Sequence, residues 1–120
     1  MSGLNIQGGR NFAMKVPPHL WQETVSFYSD IVGLEQLADQ APHVVFKYGA
    51  NRLWIDNVEG LSQAEIWLEL TTSDVAGAAA HFEATGVARR DEIEALPEGF
   101  DGFWITNSAG IIHLVASDSA

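Results

Sequence analysis

In F12-A13-M14-K15-V16, apolar side chains alternate with others, the period of a strand that turns Phe12, Met14 and Val16 to one face. Pro17 and Pro18 end it, because proline donates no ladder hydrogen bond and restricts the residue before it. Pro18 also suits the first turn of a helix, where its missing N–H costs little. From about 19 to 32, Trp21, Val25, Tyr28 and Val32 recur at helical spacing with Leu20, Thr24, Phe27 and Ile31 beside them, and Gly33 is the expected stop. A short strand over 34–37 is expected next. Two further strands over 44–48 and 52–56 follow, joined by a turn through Gly49, Ala50 and Asn51.

The same plan then repeats. Residues 65–72 alternate strictly, with Ile66, Leu68 and Leu70 on one face and Glu65, Trp67, Glu69 and Thr71 on the other. Ser73 is a reasonable N-cap, with Asp74 favouring the positive end of the helix dipole. The helix runs through V75-A76-G77-A78-A79-A80-H81-F82-E83-A84-T85 and stops at Gly86. A weak strand near 87–90, a charged loop, and strands over 103–106 and 111–116 complete the second series, with Gly110 giving the tight reversal its backbone freedom. Each copy therefore reads β-α-β-β-β, from about 10 to 58 and from about 64 to 117, within a single domain of 120 residues. Helices cover one face of each sheet, and the other faces are expected to curve around a cleft.

Charge narrows the range of partners. Sixteen acidic residues against six Lys plus Arg leave a net charge of −10, and only Arg89 and Arg90 are adjacent, so nucleic acid and anionic lipid are poor partners. A cationic ligand would be attracted, although the acids also simply keep a surface soluble. No stretch approaches the roughly 20 apolar residues that span a bilayer. M1-S2-G3-L4-N5-I6-Q7-G8-G9 lacks the basic flank and apolar block of a secretory signal and reads as a flexible lead, as S117-D118-S119-A120 reads as a tail. The absence of cysteine removes disulfides and thiolate chemistry, and the cytoplasm is the default compartment.

Two stretches carry a family likeness: F27-Y28-S29-D30-I31-V32-G33-L34-E35 at the first helix end, and F103-W104-I105-T106-N107-S108-A109-G110-I111-I112-H113-L114-V115 at the final hairpin. With the helix from Ser73 to Gly86, they make the chain resemble the vicinal oxygen chelate superfamily of glyoxalase I, extradiol dioxygenases and bleomycin-resistance proteins. That resemblance implies an α+β fold of paired βαβββ modules, a curved mixed sheet around a cleft with helices on the outer face, and a homodimer. In the enzymes of the family, His, Gln or Glu on the first and last strands of each module hold one divalent metal. Carried over, those positions look like Asn11, Trp54 or Asp56, Trp67 and His113. Alternation supports His113 facing inward, with Ile112 and Leu114 as the better core pair.

An indole N–H cannot ligate a metal, and an asparagine is a weak ligand beside imidazole or carboxylate. The same positions offer aromatic surface instead. Trp54 and Trp67, with Trp104 and Phe100 beside them and Asn11, Lys15, Glu69 and His113 as polar groups, suit an apolar or aromatic organic ligand, neutral or cationic. For any one tryptophan, a place in the core or an interface is the plain alternative, and Trp21 on the helix most of all. Two function classes follow. One is a metal-free small-molecule-binding protein of the bleomycin-resistance type, without cofactor. The other is a lyase, isomerase or dioxygenase using Zn, Ni, Mn or Fe held by Asp56, Glu69 and His113, with Glu69 and His113 also conceivable as a metal-free acid–base pair. There is no nucleophile elbow, phosphate-binding glycine loop or HExxH helix.

Overall fold

The computed structural model describes residues 5–118 and divides into two compact units, Arg10–Trp67 and a second built from residues 5–9 and 68–118. Among the described residues no helix is long and apolar enough to cross a membrane.

In the first unit, β2 (Asn11–Val16) leads into α1 (Pro18–Ser26), and β3 (Val45–Tyr48) and β4 (Asn51–Asn57) follow. β2 pairs with β4 in parallel, β3 with β4 antiparallel, and Lys15, Met14 and Ala13 pair with Glu65, Ile66 and Trp67 at the start of β5 (Glu65–Thr72). Strand alternation puts Val16, Leu53, Ile55 and Phe46 in the core, with Phe12, Met14, Trp21 and Val25 packed against them. A helix of nine residues is marginal alone, so α1 depends on this packing. Trp21 adds a hydrogen bond from its indole N–H to the Ile55 carbonyl, at 3.0 Å. The expected helix over 19–32 is present in two parts: after Ser26 the chain widens into a π-helical segment, Phe27–Val32, closed by Gly33 at φ 81°. The expected strand over 34–37 is reduced to one bridge, Gln36 with Phe46.

In the second unit, the continuation of β5 pairs in parallel with β8 (Ile112–Ser117), which pairs antiparallel with β7 (Gly102–Thr106), and β7 in turn with β6 (Ala88–Arg89). The lead was expected to be flexible, yet β1 (Gln7–Gly8) joins this sheet antiparallel to Leu70 and Thr71. Of that lead, residues 1–4 lie outside the described residues, as do the tail residues 119–120. α2 (Val75–Ala84) lies over Phe103, Ile105 and Val115 through Ala78, which is wholly buried. Its small side chains let it approach the sheet closely. The N-cap is Asp74 rather than Ser73: its carboxylate accepts the Gly77 N–H at 2.9 Å, and the buried Thr72 hydroxyl accepts the Asp74 N–H at 3.1 Å. In each unit the first strand of a copy runs parallel to its last, β2 with β4 and β5 with β8, which is the duplication read from the sequence. The break between the units falls inside β5, where its partner changes from β2 to β8.

Candidate functional site

The face of the first sheet turned away from α1 carries a row of register neighbours, Val45, Trp54, Ala13 and Trp67, on β3, β4, β2 and β5. Trp54 is half-buried; its indole N–H donates to the Asn11 side-chain oxygen at 2.8 Å, and the exposed His43 ring lies 5.5 Å from it, centroid to centroid. One row along stand Asp56, Lys15 and Glu65. Lys15 Nζ is 2.8 Å from Asp56 Oδ2 and 4.3 Å from the Trp67 ring centroid, while Trp67 donates its N–H to Glu65 Oε1 at 3.0 Å. Trp67 is therefore 7% exposed and engaged on both its face and its N–H. Trp54 is the more accessible of the two indoles on this face.

The second sheet divides the remaining candidates. Glu69, Leu114 and Trp104 are register neighbours on one face, whereas Leu68, His113 and Ile105 are neighbours on the other, the face on which Ile105 and Val115 pack with α2. His113 is thus one residue out of the expected phase, and Leu114 takes the inward position. The strand 111–116 is apolar on both faces, so its own alternation could not fix the phase; the pairing of Phe103 with Val115 and Ile105 with His113 does. Glu69 and His113 consequently point to opposite sides of one sheet and cannot act as an acid–base pair or share a metal. Among the described residues no group of three or more His, Asp or Glu is gathered as a metal site.

Trp104 is buried, with its indole N–H donated to the Glu94 carbonyl at 2.9 Å and its backbone N–H to Asp91 Oδ1 at 3.0 Å. It anchors the loop after β6 more than it presents a surface. Burial pushes the Asp91 carboxyl up, but the Trp104 N–H and the Arg89 guanidinium together outweigh this and hold it below its ordinary value of 3.8. Glu69 packs against Gly9, whose N–H donates to the Glu69 carbonyl at 2.7 Å.

On the helix side of the second unit, Leu70, Phe82, Val87 and Ile105 floor a groove of about 560 Å³, with His113, Asn107 and Ser108 also lining it. Sequence reading passed over this groove. Its polar groups lie in the turn after β7 and on the misphased face of β8, and only the register brings them to the helix.

No family model and no curated protein matches the sequence. The fold does have counterparts. The Mn(II)-bound glyoxalase from Novosphingobium aromaticivorans matches with TM-score 0.66 and 25% identity over 98% of this chain and 40% of that one. An E323L mutant of homoprotocatechuate 2,3-dioxygenase from Brevibacterium fuscum matches with TM-score 0.62 and 16% identity, over 96% of this chain and 33% of that one. A glyoxalase/bleomycin resistance protein/dioxygenase superfamily member from Vibrio splendidus matches with TM-score 0.57 and 11% identity over 96% of this chain and 99% of its own. This chain spans less than half of the first two and nearly all of the third. With a mixed sheet backed by a helix in each unit, it has the fold of the glyoxalase, bleomycin-resistance and extradiol dioxygenase superfamily, the vicinal oxygen chelate proteins, across nearly its whole length.

Proposed function

We propose that this chain is a small-molecule-binding protein of the glyoxalase/bleomycin-resistance type. It takes an apolar or aromatic organic ligand, neutral or cationic, beside Trp54 on the face of its first sheet turned away from α1, without a metal ion and as a homodimer. The observation that carries this reading is the accessible indole of Trp54, held by Asn11 at 2.8 Å beside His43, on a face where the other residues at ligand-bearing positions are an amide and a second indole. A π-face with one oriented amide beside it binds flat organic molecules well and cations weakly, and ligates metals poorly. Exposed Phe27, Ile31 and Val32 offer apolar surface of the kind a second copy covers.

The test is a titration of tryptophan fluorescence with a panel of aromatic and aromatic-cation ligands in excess chelator, paired with elemental analysis of the purified protein. Saturable quenching that survives chelation supports the reading. Stoichiometric Zn, Ni, Mn or Fe whose removal abolishes binding overturns it. Light scattering of the same sample at micromolar concentration reads the mass, and a monomer at all concentrations removes the dimer from the proposal.

A further inference from the structure

The groove under the end of α2 lies on the helix side of the second sheet and does not depend on the aromatic face of the first. Its volume, about 560 Å³, falls in the roughly 300–1,000 Å³ range of small-molecule pockets, and its floor of Leu70, Phe82, Val87 and Ile105 is apolar. Two of its polar groups have a fixed hydrogen-bonding sense. His113 Nδ1 is 3.1 Å from the Ile111 carbonyl oxygen. A carbonyl oxygen only accepts, so in the neutral ring Nδ1 carries the proton and Nε2 keeps the lone pair. Asn107 Oδ1 accepts the backbone N–H groups of Ala109 and Ile111, both at 2.9 Å. Those two bonds settle which end of the amide is oxygen. The NH₂ end is a donor with no hydrogen-bond partner among the described residues.

The groove thus has one acceptor and one donor along its edge above an apolar floor. A carboxylate would satisfy the Asn107 amide and leave His113 Nε2 facing a second acceptor. An ammonium would satisfy His113 and oppose the amide hydrogens. A hydroxyl serves both, donating to Nε2 and accepting from the amide. We propose that this groove is a second small-molecule site, specific for a monohydroxylated aromatic whose ring rests on Leu70, Phe82 and Ile105 and whose hydroxyl meets His113 and Asn107.

The experiment is amide chemical-shift mapping of the full chain titrated with 4-ethylphenol, 4-ethylanisole and ethylbenzene. The anisole keeps the acceptor oxygen and loses the donated proton; ethylbenzene loses both. The phenol is expected to shift amides of residues 70, 82, 87, 105 and 113 and to bind about fivefold more tightly than the anisole, the ratio one hydrogen bond supplies, with the anisole in turn tighter than ethylbenzene. His113→Phe, which keeps a ring and loses the acceptor, should erase the preference for phenol over anisole, and Asn107→Asp, which keeps both turn hydrogen bonds and loses the donor, should erase the preference for anisole over ethylbenzene; both should leave ethylbenzene binding unchanged. If His113→Phe does not fold, the phenol-to-anisole ratio of the unaltered protein and the anisole-to-ethylbenzene ratio of Asn107→Asp decide. Equal affinities for phenol and anisole, a preference for phenol over anisole that survives His113→Phe, a preference for anisole over ethylbenzene that survives Asn107→Asp, no binding up to the solubility limit, or shifts confined to the surroundings of Trp54 would each overturn the proposal. The last result would leave the aromatic-face reading standing, which keeps the two failures distinct.

Discussion

Lys15 Nζ meets Asp56 Oδ2 at 2.8 Å across the parallel pair of β2 and β4, and the lysine side chain is only 3% exposed against 26% for the aspartate. The burial cost therefore falls on the ammonium. Removing a lone charge from water costs several kcal/mol, which a single ion pair offsets only in part. Here the Trp67 face, 4.3 Å from the ammonium, adds attraction to the cation. Trp67 is in turn oriented by the bond from its N–H to Glu65. In this fold position the indole braces a buried charge, which is why Trp54 is the better ligand platform.

Deleting one member of the pair should be worse than deleting both. Asp56→Ala takes the Asp56 carboxylate away from the buried ammonium and is expected to cost about 3 kcal/mol. Adding Lys15→Met, an apolar side chain of similar length, should recover most of that loss. Urea denaturation of the two single variants and the double variant closes the cycle. A loss below about 1 kcal/mol for Asp56→Ala would mean that the pair contributes no more than a surface salt bridge.

A similar test applies to Gly9 and Glu69. A Cβ on Gly9 would collide with the Glu69 carboxylate, its Cδ lying 2.7 Å away. The backbone at Gly9 is not left-handed, so the contact alone sets the cost. Gly9→Ala should destabilise by about 1 kcal/mol as the Glu69 side chain swings aside, and Gly9→Ala combined with Glu69→Ala should be milder than Gly9→Ala alone. Equal losses in the two proteins, read from thermal or urea unfolding, would show that the loss does not arise at Glu69.

The alternation of β2 and β5 was plain in the sequence because each has bulky apolar residues on one face and, apart from Ala13 and Trp67, polar or charged ones on the other, so Met14, Val16 and Leu70 fell on the helix side as expected. β8 offered no such contrast. I111-I112-H113-L114-V115-A116 is apolar at five of six positions, and its phase is set by partners on β5 and β7 that sequence spacing does not reveal. That single slip moved His113 to the wrong face and with it the suggested site of Asp56, Glu69 and His113. β1 was missed for the opposite reason: two residues of Gln-Gly carry no strand propensity and are ordered only by the edge of β5. The pairings of Lys15 with Asp56 and Trp54 with Asn11 needed the parallel register of β2 and β4, which joins residues about 40 positions apart in the sequence.

The Asp91 carboxyl gives a prediction in pH. Its folded pKa is depressed, so its contribution to stability is present in full above the ordinary value of 3.8 and is lost as pH falls through the lower folded value. Because its side chain is 51% exposed, the contribution is screened and should stay within about 1 kcal/mol. A carboxyl-detected titration should place the Asp91 midpoint below 3.8, with the Trp104 amide resonance moving over the same interval, since that N–H donates to Asp91. A midpoint at or above 3.8 would show that burial outweighs the Trp104 and Arg89 bonds. Asp91→Asn should flatten this part of the stability curve.

The four tryptophans make the aromatic face measurable, because two of them report little of the solvent: Trp67 is 7% exposed and Trp104 5%. Trp21 and Trp54 are half-buried, but Trp21 packs with the α1 core and bonds to Ile55, which leaves Trp54 as the indole a ligand on the face away from α1 would meet. Trp54→Phe should therefore remove more than half of any ligand-induced quenching while leaving the unfolding midpoint nearly unchanged. Asn11→Leu should weaken ligand affinity about fivefold, since losing one orienting hydrogen bond on the indole frees the ring to turn. Asn11→Asp keeps an acceptor at the same place and should bind nearly as the parent does. Should quenching persist undiminished in Trp54→Phe, the ligand sits elsewhere, and an unchanged affinity in Asn11→Leu would mean that the bond positions nothing that binding uses.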